Sequence, residues 1–253
     1  MIVARKNSVA LVVRESEESL SLEASQAVLL AMQGQKEPAI CVASGDSPRG
    51  IYSRLAEWRQ QEKLDISSWY FVGLDEWLGL DRNDPGSCRY LLDRQLFGPL
   101  GVKEERICFF DGRTADPETE CARVEAFIRS RGGLSLAILG LGMNGHIGLN
   151  EPGSSPGTRA HVSLLQETTK QVAQKYFSEF GAPPPLTRGI TLGLGTIREA
   201  KSLLLIASGK KKAAIVRECL EEPPNNLKPA SLLLDHPQLS IYLDQGAASE
   251  LSR

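Results

Sequence analysis

The stretch LAILGLGMNGHIGLNEPGS, Leu136 to Ser154, decides the reading of this chain. Its first half, LAILGLG, is a short apolar run ending in glycines, the pattern of a fully buried strand entering a loop. Its second half sets Asn144, His146, Asn150 and Glu151 among glycines and stops at Pro152. Glycine permits positive φ and lets a backbone approach a ligand closely. A polar loop at the carboxyl end of a buried strand is where open α/β sheets bind ligands. His146 and Glu151 then supply a base that titrates near neutral pH and a carboxylate able to orient it. A turn whose histidine merely caps the backbone is the plainer alternative. The flanking glycines, with a glutamate five positions on, favour chemistry.

Working outward, the 253 residues are enough for one large α/β domain, and length alone does not demand two. Hydrophobic residues at 42% and charged ones at 24% describe an ordinary globular protein. A net charge of −2 offers no general attraction to nucleic acid or an anionic membrane, so an anionic ligand must be met by a local cluster of donors. The five cysteines (Cys41, Cys88, Cys108, Cys121, Cys219) are scattered and odd in number, which points to reduced thiols used for packing. No signal-peptide pattern opens the chain, and no run approaches the ~20 apolar residues of a membrane span. The expected location is cytoplasmic, with no nucleic-acid or membrane partner; a homo-oligomer is left open.

In chain order, strands are expected at Val9–Val13, Ala39–Ser44, the run from Trp69, Ile107–Phe110, the LAILG run, SLLLIAS and LSIYLD. Helical spacing falls between them: from about Leu22 to Met32, after Pro48, over Pro117–Arg131 and Gln166–Phe180, and after Ser208; Leu91–Leu100 is amphipathic, and GITLGLGTIREA reads as a short extended piece turning into a helix at Thr196. The prolines in Ala182–Leu186 predict a turn. Strands alternating with helices imply a mostly parallel sheet with helices on both faces, as a single domain over residues 1–253.

Three further motifs lie at the ends of strands. ASGDSPRG passes from strand to helix at Pro48, a residue suited to a first helical turn. The exposed N–H groups of such a turn attract anions, and Ser44 and Ser47 add hydroxyl donors. LDEW ends a strand in adjacent carboxylates, Asp75 and Glu76, which a strand points to opposite faces. In SGKKKAA, lysines at a helix start oppose the dipole, so an anion nearby would explain Lys210, Lys211 and Lys212.

N-G-H-I-G-L-N-E-P resembles the signature of the glucosamine-6-phosphate deaminase family, D-G-H-I-x-x-N-E-P, with Asn144 in the place of the usual aspartate. The galactosamine-6-phosphate isomerase type departs from aspartate at the same position, and the chain is most similar to that type. The resemblance covers the chain from about Ala39 to the last strand, with the family's motifs in the family's order. It implies a Rossmann-like fold of the deaminase/phosphogluconolactonase kind, no cofactor and no metal. It also implies a phosphate site from Ser44, Gly45, Ser47 and Lys212. His146, positioned by Glu151 and partnered by Asn144 through a carbonyl, would open the sugar ring. Asp75 would move a proton from carbon 2 to carbon 1, and Asp46 would point away from the phosphate or cap the helix.

The expected reaction is conversion of galactosamine 6-phosphate to tagatose 6-phosphate and ammonia. Glucosamine 6-phosphate, giving fructose 6-phosphate, is the alternative. A 6-phosphogluconolactonase and a non-catalytic sugar-phosphate sensor are less favoured: the intact Asn150-Glu151-Pro152 argues against the first, and the acidic balance disfavours a DNA-binding regulator. The other two histidines, His161 and His236, are expected to be structural or surface residues.

Overall fold

Apolar runs that alternate between two buried faces become the central strands. In the LAILG strand, Leu136 and Ile138 join one hydrophobic cluster while Ala137 and Leu139 join the other. Side chains of a strand alternate between faces, so a strand buried on both reads as a continuous apolar run. The computed structural model describes residues 2–6, 9–177 and 185–252. The elements in order are β1 (Ile2–Lys6), β2 (Val9–Arg14), α1 (Glu17–Met32), β3 (Ala39–Val42), α2 (Arg49–Gln60), β4 (Tyr70–Gly73) and β5 (Asp75–Trp77). Then come α3 (Cys88–Leu92), α4 (Gly98–Leu100), β6 (Ile107–Cys108), α5 (Pro117–Ser130), β7 (Leu136–Gly140), β8 (His161–Leu164) and α6 (Glu167–Ala173). The last are β9 (Arg188–Thr191), α7 (Leu194–Arg198), β10 (Leu203–Ala207), α8 (Ala213–Glu221) and β11 (Leu239–Asp244).

Among the described residues the main sheet has eight strands in the order β1-β2-β11-β10-β7-β3-β4-β6. All neighbours run parallel except β1 and β2. Helices α1 and α2 pack on one face through Leu20, Val28, Ile51 and Leu55; α5 and α8 pack on the other through Val124, Ile128 and Val216. The chain runs from β3 to β4 in one direction along the sheet and from β7 to β10 and β11 in the other. A crevice therefore opens at the carboxyl ends between β3 and β7, where open α/β sheets take ligands.

The strand expected from Trp69 through LDEW is divided. β4 ends at Gly73, and Asp75 begins β5, part of a separate antiparallel sheet ordered β5-β9-β8. Leu74 links the two: its N–H donates to the Val42 carbonyl and its own carbonyl accepts from Leu192. This turn of the chain takes Asp75 off the main sheet and sets it opposite Thr191 of β9. Helix α1 starts earlier than Leu22 because Ser16 caps it, its hydroxyl accepting from the Ser19 N–H in a reciprocal capping box. Pro48 stands just before α2, at its N-cap, rather than inside the first turn. The amphipathic run Leu91–Leu100 is helical from Cys88 and passes through a wider π segment over Asp93–Phe97. Of the expected helix Gln166–Phe180, α6 and a 3-10 turn over Gln174–Tyr176 are present; positions 178–180 lie outside the described residues. So do positions 182–184 of the predicted proline turn.

Candidate active site

Four neighbouring strands, β10, β7, β3 and β4, each end at the same edge and each carries one of the motifs. After β3, Gly45 takes φ 107°, a conformation that L side chains rarely adopt. A Cβ there would also stand 2.8 Å from the Tyr176 hydroxyl, which would have to move aside. The Ser47 side chain faces the end of β7, 3.8 Å from where a Cβ on Gly140 would sit. After β10, Gly209 turns the chain at φ 86° into a 3-10 turn over Lys210–Lys212. Lys210 and Lys211 are exposed, whereas Lys212 is half-buried and its ammonium donates to the Leu141 carbonyl just past β7. Burial, and then the charge of Lys175, push the Lys212 pKa down to about 8, with Asp46 acting the other way. Ser47 and Lys212 thus converge on one corner, next to the amino end of α2.

Asp46 does not cap that helix. Its carboxylate pairs with Lys175 at 2.6 Å, reaching a segment that covers the loop from above. That segment begins at Gln166, includes α6, and lays Tyr176 over Gly45 and Phe177 against Gly86.

At the end of β4 the two carboxylates part company. Glu76 is fully buried and accepts the backbone N–H groups of Trp77 (2.8 Å), Cys88 (2.8 Å) and Arg89 (2.9 Å). Burial raises its pKa to about 8 against those donors. It ties β5 to the start of α3. Asp75 is buried as well, with 8% of its surface exposed against none for Glu76: burial raises its pKa to about 6, while the Cys88 thiol and the positive field of His146 pull the other way. A carboxylate held near neutrality is suited to proton transfer.

In the loop after β7, the imidazole of His146 lies flush on Gly142, where a Cβ would come within 2.3–2.5 Å of the ring. Glu151 stands 3.6 Å from His146 Nδ1, with the Thr169 hydroxyl nearer at 3.1 Å. Asn144 does not meet the ring, contrary to the expected carbonyl contact. Its Nδ2 donates to Glu151 at 2.9 Å and to the Gln166 side chain at 3.2 Å, while its Oδ1 accepts the His146 backbone N–H at 3.2 Å. The Gln166 N–H adds a bond to the other Glu151 oxygen at 3.2 Å. Burial alone would raise Glu151. The donors His146, Thr169 and Asn144 outweigh it and hold the carboxyl below its ordinary value. Asn150 is structural, its amide closing the loop on the carbonyls of Ile147 and Leu192.

Sequence reasoning had no signal for Thr169, Gln166, Lys175 and Tyr176, which reach the site only through the tertiary placement of one short helix and the turn after it. His161 lies in β8 with Nδ1 2.9 Å from the Arg159 carbonyl, and His236 is buried with Nε2 against the Ala200 carbonyl at 2.9 Å. A cavity of about 940 Å³ lies elsewhere, between α5 and the 159–162 segment. Several of its polar groups are matched to one another: Arg159 pairs with Glu199, and Glu125 accepts from Thr196 and from the Ala160 N–H. Chemistry rather than volume marks the crevice as the site. Among the described residues no cluster of three His, Cys, Asp or Glu side chains is arranged to hold a metal ion.

Known proteins share much of this sequence and fold. Residues 14–241 match the family model described as glucosamine-6-phosphate isomerases/6-phosphogluconolactonase. A glucosamine-6-phosphate deaminase of Thermoanaerobacter pseudethanolicus is 35% identical over 232 residues, 92% of this chain and 91% of that protein. A putative deaminase of Escherichia coli, AgaI, is 38% identical over 222 residues, 88% of this chain and 86% of its own. A solved monomeric glucosamine-6-phosphate deaminase superposes with a TM-score of 0.90 at 34% identity, covering 95% of this chain and 99% of that one.

Proposed function

The chain belongs to the glucosamine-6-phosphate isomerase/6-phosphogluconolactonase family, and on that premise we propose that it isomerises and deaminates an amino-sugar 6-phosphate, glucosamine 6-phosphate first. The observation that carries this reading is a pairing of two groups over one crevice: a buried carboxyl raised toward neutrality, Asp75, and an imidazole, His146, whose field reaches it. A lactonase needs water activation and a phosphate site. It does not need a second proton-transfer group placed for a carbon-bound proton.

In this reading Ser44, Gly45, Ser47 and Lys212 hold the 6-phosphate. His146 moves the proton that opens the ring, with Glu151 as the anchor of its orientation and Asn144 as a donor to Glu151. Asp75 takes the proton at carbon 2 of the linear sugar to give an enolamine and returns it at carbon 1. Water then releases ammonia from the ketose imine. Each positioned proton-transfer group is worth about 10²–10⁴-fold. A phosphorylated metabolite as substrate and five unpaired buried cysteines support a cytoplasmic setting.

Galactosamine 6-phosphate, favoured by the sequence because of Asn144, becomes the second reading. Its premise was an altered partner for the imidazole, and Asn144 serves Glu151 and the backbone instead. The relatives named by substrate support glucosamine 6-phosphate. The test is ammonia release on both epimers beside hydrolysis of 6-phosphogluconolactone. Faster turnover of glucosamine 6-phosphate supports the reading. Faster turnover of the galacto epimer reverses the order of the two sugars, and lactone hydrolysis without ammonia overturns both.

A further inference from the structure

The polar group nearest to His146 Nδ1 is neither Glu151 nor Asn144 but the hydroxyl of Thr169, a residue only 4% exposed. It comes from α6, 23 positions along the chain, and nothing in the loop motif of residues 144–152 foreshadows it. We propose that Thr169 is a positioning residue for His146: it links the imidazole to Glu151 and fixes the tautomer in which Nδ1 carries the proton and Nε2 is free to act as a base.

The protons around the ring can be counted. Glu151 is surrounded by donors: Asn144 Nδ2 on one oxygen and the Gln166 N–H on the other. That environment keeps it ionised, and an ionised carboxylate only accepts. The Thr169 hydroxyl also serves Glu151. A hydroxyl has one proton, so once that proton points to the carboxylate, its oxygen offers only lone pairs to Nδ1. Nδ1 must then hold the imidazole proton and donate it to Thr169. A neutral imidazole with a proton on Nδ1 has none on Nε2, the nitrogen across the ring. At 3.6 Å the approach of Nδ1 to Glu151 is long, so the hydroxyl at 3.1 Å is its nearer partner and bridges toward the carboxylate.

The same helix start holds Gln166, whose amide oxygen accepts from Asn144 at 3.2 Å. The chain then runs on to Lys175, paired with Asp46 of the phosphate loop. Seating of this segment against the phosphate loop and setting of the histidine are therefore properties of one short piece of chain.

The inference rests on the proposed function only for its kinetic arm. The first measurement is the tautomer of His146 by ¹⁵N NMR of histidine-labelled protein, assigned with His146→Gln, in the wild type, Thr169→Val, Thr169→Ala and Thr169→Ser. The wild type and Thr169→Ser should show the neutral ring protonated on Nδ1. Thr169→Val and Thr169→Ala should move the proton population toward Nε2. The second measurement is turnover of glucosamine 6-phosphate. With the hydroxyl gone, kcat should fall about 10-fold or more, part of the roughly 10²–10⁴-fold that a positioned base supplies, with KM little changed and recovery in Thr169→Ser. An unchanged tautomer in both Val and Ala variants overturns the proposal, whether or not activity falls, because a loss without a tautomer change is structural. If the wild type releases no ammonia from any amino-sugar phosphate, the functional reading fails, and the NMR result still decides the role of Thr169.

Discussion

Asn144 Nδ2 donates to Glu151 Oε2 at 2.9 Å, so the asparagine in the N-G-H-I motif is a partner of the carboxylate rather than of the histidine ring. An aspartate in that position would face Glu151 with a like charge. The departure from the family's motif fits a donor–acceptor pattern: Asn144 gives a hydrogen to one Glu151 oxygen and the Gln166 N–H gives one to the other.

Asn144→Asp should therefore move the acid limb of the pH–rate profile upward. Two carboxylates in hydrogen-bond contact cannot both ionise freely, and together they favour the protonated imidazole. A shift of about 1 pH unit or more is expected. Its measure is kcat/KM from about pH 5 to 9 in variant and wild type. An unshifted limb would make Asn144 a bystander.

Asp75→Asn should remove activity yet stabilise the fold at neutral pH. An acid whose folded pKa is raised to about 6 keeps a proton that the unfolded chain has already lost, so stability falls as pH rises from about 4 to about 6. The difference from its ordinary value corresponds to about 3 kcal/mol at neutral pH. The amide does not titrate. Denaturant melts should show the variant more stable by roughly 1–3 kcal/mol at pH 7.5 and close to wild type near pH 4. Equal stability at both would mean that Asp75 is not held in the raised state.

Much of this was legible beforehand, and the limits have physical reasons. The runs at Ala39–Val42, Leu136–Gly140 and Leu203–Ala207 are apolar throughout because both of their faces are buried. The second sheet was hidden: β8 has one buried position of four, and β5 is three residues long. Asp75 was expected to end the strand from Trp69, but that strand stops at Gly73, and the turn that starts Asp75 on the second sheet depends on Leu74 bridging to Val42 and Leu192. Ser44, Ser47 and the run Lys210 to Lys212 stood out because a β–α turn carries its own chemistry, while Gly45 and the choice of Lys212 came from the family resemblance. Thr169 and Lys175 did not, since their partners lie 23 and 129 positions away and their own neighbourhood, ETTKQVAQK, is an ordinary polar helix.

Lys212→Ala should raise KM for the phosphorylated sugar much more than it lowers kcat, because a phosphate remote from the reacting carbons contributes mostly uniform binding. In the wild type the ammonium pKa lies at about 8, so the lysine is charged below that pH and neutral above it. Affinity for inorganic phosphate as a competitive inhibitor should weaken as pH rises through about 8, and the variant should lose that dependence. A KM unchanged by the substitution would return Lys212 to a surface role.

Gly142→Ala should act on the histidine alone. The new methyl group would come within 2.3–2.5 Å of the imidazole, forcing the ring off its place. The expected result is a kcat lower by about 10²-fold or more with phosphate inhibition unchanged. A variant with wild-type kcat would show that His146 needs no fixed seat.

The central claim is that Asp75 and His146 together convert an amino-sugar phosphate into a ketose phosphate and ammonia. Its most direct test is the product balance from glucosamine 6-phosphate, with ammonia and fructose 6-phosphate measured in the same reaction for wild type and Asp75→Asn. The account predicts one ammonia per fructose 6-phosphate in the wild type and a loss of both products in the variant, which should still bind inorganic phosphate. Ammonia and ketose formed by the variant at near wild-type rate would contradict it.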